Sequence, residues 1–382
     1  MESPYKYGNG RHEGLDLLRI LAMLMIVFWH FYMHALQRDL DGTGVYTFAS
    51  TAVSLANYAV TEWLALLCSI CVNVYVLITG YFLLEKPFRF GRILRVWFQA
   101  LFTGAVIVLL FCLLQPEQHH FGEILSSLNP FRYGGYWFVK CYVRLLLVSP
   151  LLVFVAHRLS YKGYVVVLLL MVLTGTTVAA DFPFGYRFPF RSGFSLPWFC
   201  YLFLTGCYLR RFPLPNWASR FSVFFAVLTF TAAAWCLPGC FHGGTLSPAV
   251  SLQVFAYNGV SYFLSVLFFG CFAQLQLSSA RLKGMVAAVG PLTFGVYLLH
   301  DHELVRQWLW YDGVAWQQMF GNPWFPMLMI SVSTGVFVLC LGADYCRRQA
   351  FAYVGIDRLL ARLGGFFDRL LSRLVRQFGK LS

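Results

Sequence analysis

The stretch Leu15–His34, LDLLRILAMLMIVFWHFYMH, decides how the chain is read. A helix crossing the hydrocarbon layer of a bilayer needs about 20 predominantly apolar residues, and this run supplies them. It nevertheless carries Asp16, Arg19, His30 and His34 where leucine would cost less. An ionisable group at the bilayer centre costs about 2.5–3.5 kcal/mol on insertion scales, so such groups usually line a cavity or pathway. The run is longer than a signal-peptide core and no small-x-small site follows it. It reads as an uncleaved first span.

The remainder of the chain extends that reading. Of 382 residues, 59% are hydrophobic and 12% charged, where a soluble domain carries about 25% charge. Apolar stretches of spanning length fall at 15–36, 63–84, 94–115, 135–156, 163–180, 195–210, 221–237, 251–275, 285–301 and 325–346. The expected fold is therefore all-α, a polytopic membrane bundle of about ten transmembrane helices. Breaks such as Gln115-Pro116-Glu117, Arg211-Phe212-Pro213 and Leu237-Pro238-Gly239 carry turn chemistry. Most of the 29 Lys and Arg fall in alternate connections when both termini are cytoplasmic, as positive-inside topology requires. The net charge of +13 follows from that alternation, so the expected partner is the lipid bilayer and not nucleic acid.

Residues 1–346 form the expected transmembrane domain and 347–382 a basic amphipathic tail. There DRLLARL (Asp357–Leu363) recurs as DRLLSRL (Asp368–Leu374) after eleven residues, close to three helical turns, which puts both copies on one face. Arginine on one side and Leu, Phe and Val on the other suit an interfacial helix on an anionic leaflet. Cys68-x-x-Cys71 lies in an apolar stretch without His or acidic companions and reads as packing. Cys236 and Cys240 flank an external turn, and their pairing is left open. His119 and His120 fall in an external loop and carry no expected chemistry.

Arg19 and His30 are eleven residues apart, which on a helix is three turns plus about 20°, with a rise of about 16 Å. Asp16 and Met23 belong to the same stripe, and Asp16 is one turn from Arg19, placed to orient it. Alone, Arg19 would read as a snorkelling boundary residue and His30 as a neutral hydrogen-bonder between helices. Their alignment on one first span shifts the weight to a functional pair. His34 is one turn beyond His30, but with no acidic or cysteine companion evident no metal is expected.

A second basic cluster opens the third span of the ten. Arg89, Arg92 and Arg95 recur every three residues, making a ridge of forked donors suited to phosphate. Topology alone would also produce it. Lys140 and Arg144, one turn apart on the fourth span, are candidates to line a cavity and bind an anionic acceptor. Tyr136 and Trp137 sit where interfacial aromatics belong and are secondary candidates for stacking on a sugar. Asn73 reads chiefly as an interhelical hydrogen-bonder and is kept as a minor substrate-binding candidate. His300, Asp301, His302 and Glu303 read as a solvated helix end.

Five motifs in order resemble the membrane acyltransferase-3 family. They are Leu-Asp-x-x-Arg with His30 on the first span, VNVYVLITGYFL (Val72–Leu83), Arg92-x-x-Arg95, GYWF (Gly135–Phe138) and TFGVYLLH (Thr293–His300). The resemblance runs from residue 15 to about 345. It implies about ten spans in a plasma membrane and transfer of an acyl group, chiefly acetyl, to a cell-surface or lipid-linked glycan. Acyl transfer is expected of the membrane domain itself, without the extra extracytoplasmic hydrolase-like domain of some members. Acyl-coenzyme A is then the expected co-substrate, with no permanently bound cofactor. Its phosphates would lie on Arg92 and Arg95, with Arg89 and Arg19 near, and its pantetheine arm would run along the first helix to His30 as general base. Tyr297 and His300 are substrate-site candidates through the resemblance. A secondary transporter using Arg19, His30 and Lys140 as an ion pathway is the main alternative, but no half-to-half repeat is evident. A glycosyltransferase would want a paired acidic motif near an external loop, and Asp181 and Glu303 do not form one.

Overall fold

The computed structural model describes residues 12–36, 52–117, 135–176, 195–212, 259–312, 316–319 and 321–378. Among them every regular element is a helix, as a bilayer demands when backbone polar groups must be satisfied within each segment. In chain order these are α1 (Glu13–His30), α2 (Ala52–Cys68), α3 (Cys71–Leu83), α4 (Phe90–Leu114), α5 (Trp137–Arg158) and α6 (Tyr161–Thr176). They continue with α7 (Leu196–Arg211), α8 (Gly259–Ala273), α9 (Ala280–Val289), α10 (Thr293–His300), the single turn α11 (Glu303–Arg306), α12 (Phe325–Val354) and α13 (Ile356–Phe378).

Five helical stretches are long and apolar enough to cross a membrane: Glu13–Leu36, Phe90–Leu114, Trp137–Arg158, Ala280–His300 and Phe325–Val354. They coincide with five of the expected spans. The span at 63–84 is instead two helices, α2 and α3, broken at Ser69-Ile70. Hydropathy registers apolar length and not axis direction, and no Gly or Pro marks the break. The spans at 163–180, 195–210 and 251–275 correspond to the shorter helices α6, α7 and α8. The span at 221–237 lies outside the described residues, as do Cys236, Cys240, His119, His120 and Asp181. Cys68 and Cys71 are buried free thiols.

Helix α1 packs against α2, α3, α8, α9, α10 and α12 and is the hub of the bundle. Its last turn widens into a π-helix over Phe31–Leu36, an irregularity frequent at functional sites. A second π stretch, Gln307–Asp312, packs against it. Helix α7 is buried from Trp198 to Cys207 except at half-buried Cys200, which explains why it reads as apolar without a polar face. Ser195 caps it by accepting the Trp198 N–H at 3.4 Å. Pro150 within α5 withholds the N–H that Leu146 would have accepted. Ser149 Oγ supplies the missing donor to the Leu146 carbonyl at 2.7 Å.

Small residues set how closely the core helices approach. A Cβ on Gly80 of α3 would collide with the Phe203 carbonyl of α7, and one on Gly206 of α7 with the Leu77 carbonyl. Such backbone contact is how helices associate where lipid offers no hydrophobic drive between them. The helix α12 runs past residue 346 to Val354 and is closed by Gly355 at φ 80°, a left-handed cap that glycine adopts without penalty. The helix that follows, α13, docks on the start of α4. Asp368 accepts the Phe90 N–H at 2.7 Å, Phe367 and Phe90 rings lie 5.0 Å apart, and Gly364 meets Gly91 backbone to backbone. Leu359, Leu363, Phe366 and Leu370 remain exposed.

Replacing Gly80 or Gly206 by Ala is expected to force α3 and α7 apart at a cost of about 1–3 kcal/mol. Gly335→Ala and Gly342→Ala on α12, where nothing lies within 4 Å of an added Cβ, are expected to be neutral or stabilising. Thermal unfolding in detergent reads the contrast.

Candidate active site

The site is assembled where α10 ends beside the π turn of α1. Two contacts hold α10 in place. Gly295 lies against the Asp344 side chain of α12, itself held by Arg347 at 2.6 and 3.1 Å and by Gln99 at 3.2 Å. Tyr136 donates its hydroxyl to the Leu298 carbonyl at 2.7 Å.

On that helix His300 is fully buried, with Nδ1 2.6 Å from the Val296 carbonyl and Nε2 2.9 Å from Nδ1 of His30. A backbone carbonyl only accepts, so Nδ1 of His300 carries the proton. The neutral ring then presents an acceptor at Nε2, and His30 Nδ1 must be the donor. By elimination the unprotonated nitrogen of His30 is Nε2, the form a general base needs. Asp301, 5% exposed, lies with Oδ1 3.6 Å from the same His30 Nδ1, and Arg306 faces that carboxylate at 3.4 Å. The arrangement orients an imidazole and places a carboxylate to stabilise its protonated form.

His30 forms part of the wall of a narrow cavity between α1, α3, α5 and α10. Met23 and Ile26 continue the α1 wall, Tyr75 and Tyr297 face it from α3 and α10, and Trp137 enters from α5. The lining is otherwise apolar, the usual character of a small-molecule site.

At one end of the bundle Arg19 is paired with Asp16 at 2.8 Å and lies over the Phe82 ring. Arg210 is bound to Glu85 and Tyr81, and its hydrogen bonds pull the Glu85 carboxyl below the ordinary value. Arg211 is taken by the carbonyls of Ala156 and Leu159. Arg89, Arg92 and Arg95 at the start of α4 make no hydrogen bond to an acidic side chain among the described residues, although Asp368 lies close enough to Arg92 for their charges to interact. Tyr142 lies within electrostatic reach of Arg92, and from Tyr142 polar contacts lead inward. The Tyr142 hydroxyl is 3.3 Å from Thr79 Oγ1, which donates to the Tyr75 carbonyl at 3.0 Å, and Tyr75 is on the cavity wall.

The structure thus brings together His30, His300, Tyr297 and Trp137, with Tyr136 behind them, and the Arg19–Asp16 pair on the same helix as His30. It separates others. Asn73 is committed to Trp198 Nε1 at 3.0 Å and Ser265 Oγ at 3.2 Å, so both ends of its amide are engaged away from the cavity. The Tyr136 hydroxyl is likewise occupied, and its ring is 7% exposed rather than at an interface. Lys140 is half-buried, and exposed Arg144 shares a stripe of α5 with Leu147, Leu151 and Phe154; neither lines the cavity. His300 and Asp301 are not a solvated end but the buried partners of His30. Asp301, Arg306, Tyr75, Thr79 and Tyr142 were missed. Tyr75 and Thr79 fall inside the quoted Val72–Leu83 motif and the other three only near one, and nothing in spacing singles any of them out.

His34 rests 3.0 Å from the Tyr311 hydroxyl, and the acidic companion that spacing did not reveal is Asp301. One donor atom each of His30, His34 and Asp301 lies within 4.8 Å of the others, a set able to hold a cation. Each of the three already has a protein partner, in His300, Tyr311 and Arg306.

A family model described as an acyltransferase domain matches residues 12–342, a range that contains His30, His300, Asp301 and the residues that line the cavity. No curated protein and no solved structure matches the chain. Asn73→Leu is expected to strand the buried Trp198 N–H, at about 1–3 kcal/mol, and to lower the unfolding temperature without altering substrate affinity in the protein that remains folded.

Proposed function

The chain belongs to the membrane acyltransferase-3 family, and on that premise we propose that it moves a short acyl group, chiefly acetyl, from acyl-coenzyme A to a hydroxyl of a cell-surface or lipid-linked glycan. That it is a membrane acyltransferase rests on the family match and on its apolar helices. The finer reading rests on one observation above others: a histidine whose tautomer leaves Nε2 unprotonated forms the wall of a cavity linked by polar groups to uncommitted arginines.

In this reading the coenzyme's phosphates lie on Arg92 and Arg95, with Arg89 beside them, where forked donors grip anions best. Its pantetheine arm follows the Tyr142–Thr79–Tyr75 line, and Arg19 completes the basic mouth with Asp16 fixing its position. The thioester reaches the cavity. His30 Nε2 takes the proton of the acceptor hydroxyl as its oxygen attacks the thioester carbonyl carbon. The tetrahedral intermediate then collapses with cleavage of the C–S bond. The departing thiolate takes the proton from His30, so the ester and free coenzyme A leave and the neutral imidazole is restored. His300 is the acceptor that fixes the His30 ring, and Tyr297 and Trp137 shape the substrate cavity. In the same reading both termini are cytoplasmic, in a plasma membrane, and the exposed stripe of α13 lies on its inner leaflet.

Two measurements test this. Acetyl-coenzyme A at about 100 times its Kd should raise the stability of the purified protein by about 2.7 kcal/mol, a gain that Arg92→Ala removes. His30→Ala should lower surface-glycan acylation, read by mass spectrometry at equal protein levels, by about 10²- to 10⁴-fold. Unchanged acylation would overturn the assignment of the base.

A further inference from the structure

The end of α1 carries a set of donor atoms that acyl transfer does not use as a set. His30 and His34 are four residues apart, and their ring centroids lie 5.3 Å apart across the start of the π turn. Two histidines at that spacing on one helix face are a known half of a zinc site. Asp301, from the end of α10, brings a carboxylate to them, and one donor atom of each residue lies within 4.8 Å of the others. Two histidines and one carboxylate are the ligands of zinc sites that keep a position open. His30 Nδ1 and Asp301 Oδ1 are 3.6 Å apart, where two ligands on a tetrahedral zinc stand about 3.3 Å apart. The existing contacts can give way to an ion. Arg306 holds Asp301 at only 3.4 Å, and its side chain is a quarter exposed. Tyr311 can donate to His34 or accept from it, so it suits either tautomer of that ring. His30 and Asp301 are buried and His34 is half-buried, which leaves an approach on the His34 side.

We propose that His30, His34 and Asp301 form a binding site for Zn²⁺, and that the bound ion shuts off acyl transfer. The second half rests on the acyl-transfer reading of His30. The ion takes the lone pair at His30 Nδ1, so the single proton of that neutral ring sits on Nε2 instead. Nε2 is the nitrogen that must take the proton of the acceptor hydroxyl, and in this tautomer it has no lone pair to do so. No proton is lost and no substrate bond changes; the ring exchanges one tautomer for the other. Arg306 leaves Asp301 as the ion arrives, one positive partner replacing another. His300 Nε2, unprotonated and 2.9 Å from His30 Nδ1, is the nearest group able to take the fourth position. His34 has no part in the transfer step, so it separates metal binding from catalysis.

The test uses the full-length protein, purified in detergent without a histidine tag. Calorimetric titration with Zn²⁺ should show saturable binding, and Mg²⁺, which wants oxygen ligands, should show none. His34→Ala and Asp301→Asn are each expected to weaken zinc binding by more than about 100-fold, beyond what loss of an outer partner costs. Arg306→Gln should strengthen it, because the ion then displaces no guanidinium. In a glycan-acetylation assay zinc should stop the wild type and a chelator should restore it. His34→Ala should keep its rate with or without zinc. Zinc binding as tight in His34→Ala and Asp301→Asn as in the wild type, or no binding at all, overturns the site. Zinc seated on these residues while transfer continues, with His30→Ala inactive, overturns the inhibition and leaves the acyl-transfer reading standing. A wild type inactive with every acyl-coenzyme A brings down that reading and the inhibition with it, and the calorimetry still decides the site.

Discussion

The hydrogen bond from His300 Nδ1 to the Val296 carbonyl closes within a single turn of helix, yet the chemistry of the site depends on its direction. A carbonyl has nothing to donate, so the bond fixes the His300 tautomer, which fixes that of His30 on another helix. A chain of two imidazoles anchored to a backbone oxygen is rigid and buried and needs no water to set its polarity. Everything else around the site serves to keep that helix end in place. Gly295 lets α10 approach Asp344, Tyr136 grips the Leu298 carbonyl, and the π turns of α1 and of Gln307–Asp312 meet beyond them.

A second constraint is the economy of charge in an apolar bundle. Among the described residues, most cations near the core are neutralised locally: Arg19 by Asp16, Arg210 by Glu85, Arg306 by Asp301, Arg347 by Asp344. Arg89, Arg92 and Arg95 stand out against that background because no acidic side chain hydrogen-bonds them. A cation left uncommitted beside so many committed ones is what an anion-binding mouth requires. The docking of α13 on the first turn of α4, through Asp368 and Phe90, places the C-terminal helix beside that arginine ridge.

The same economy separates residues that looked alike in sequence. Asn73 and Tyr136 are polar groups within apolar helices, and both are consumed by protein partners. Tyr75 and Tyr297 are no more polar, yet their rings stand on the cavity wall, with Thr293 beside one hydroxyl and Asp301 beside the other. Lys140 and Arg144 have the composition of a substrate site, whereas the rotation of α5 turns Trp137 and Phe138 to the cavity instead. Sequence spacing places a residue on a stripe of its own helix. It does not say which neighbour that stripe meets.

Sequence alone was sufficient for the all-helical membrane class, because apolar length reports directly on the bilayer. It also placed Arg19, Met23 and His30 on one face, because that is fixed by the period of the helix, and Asp16 one turn from Arg19, now seen as an ion pair. The arginine ridge was visible for the same reason. The break at Ser69-Ile70, the burial of His300 and Asp301, and the roles of Tyr75, Thr79 and Tyr142 were decided by tertiary structure. His30 and His300 are 270 positions apart, and no local period relates them. Only packing brings a donor to one particular acceptor, and with it the tautomer that leaves His30 Nε2 unprotonated.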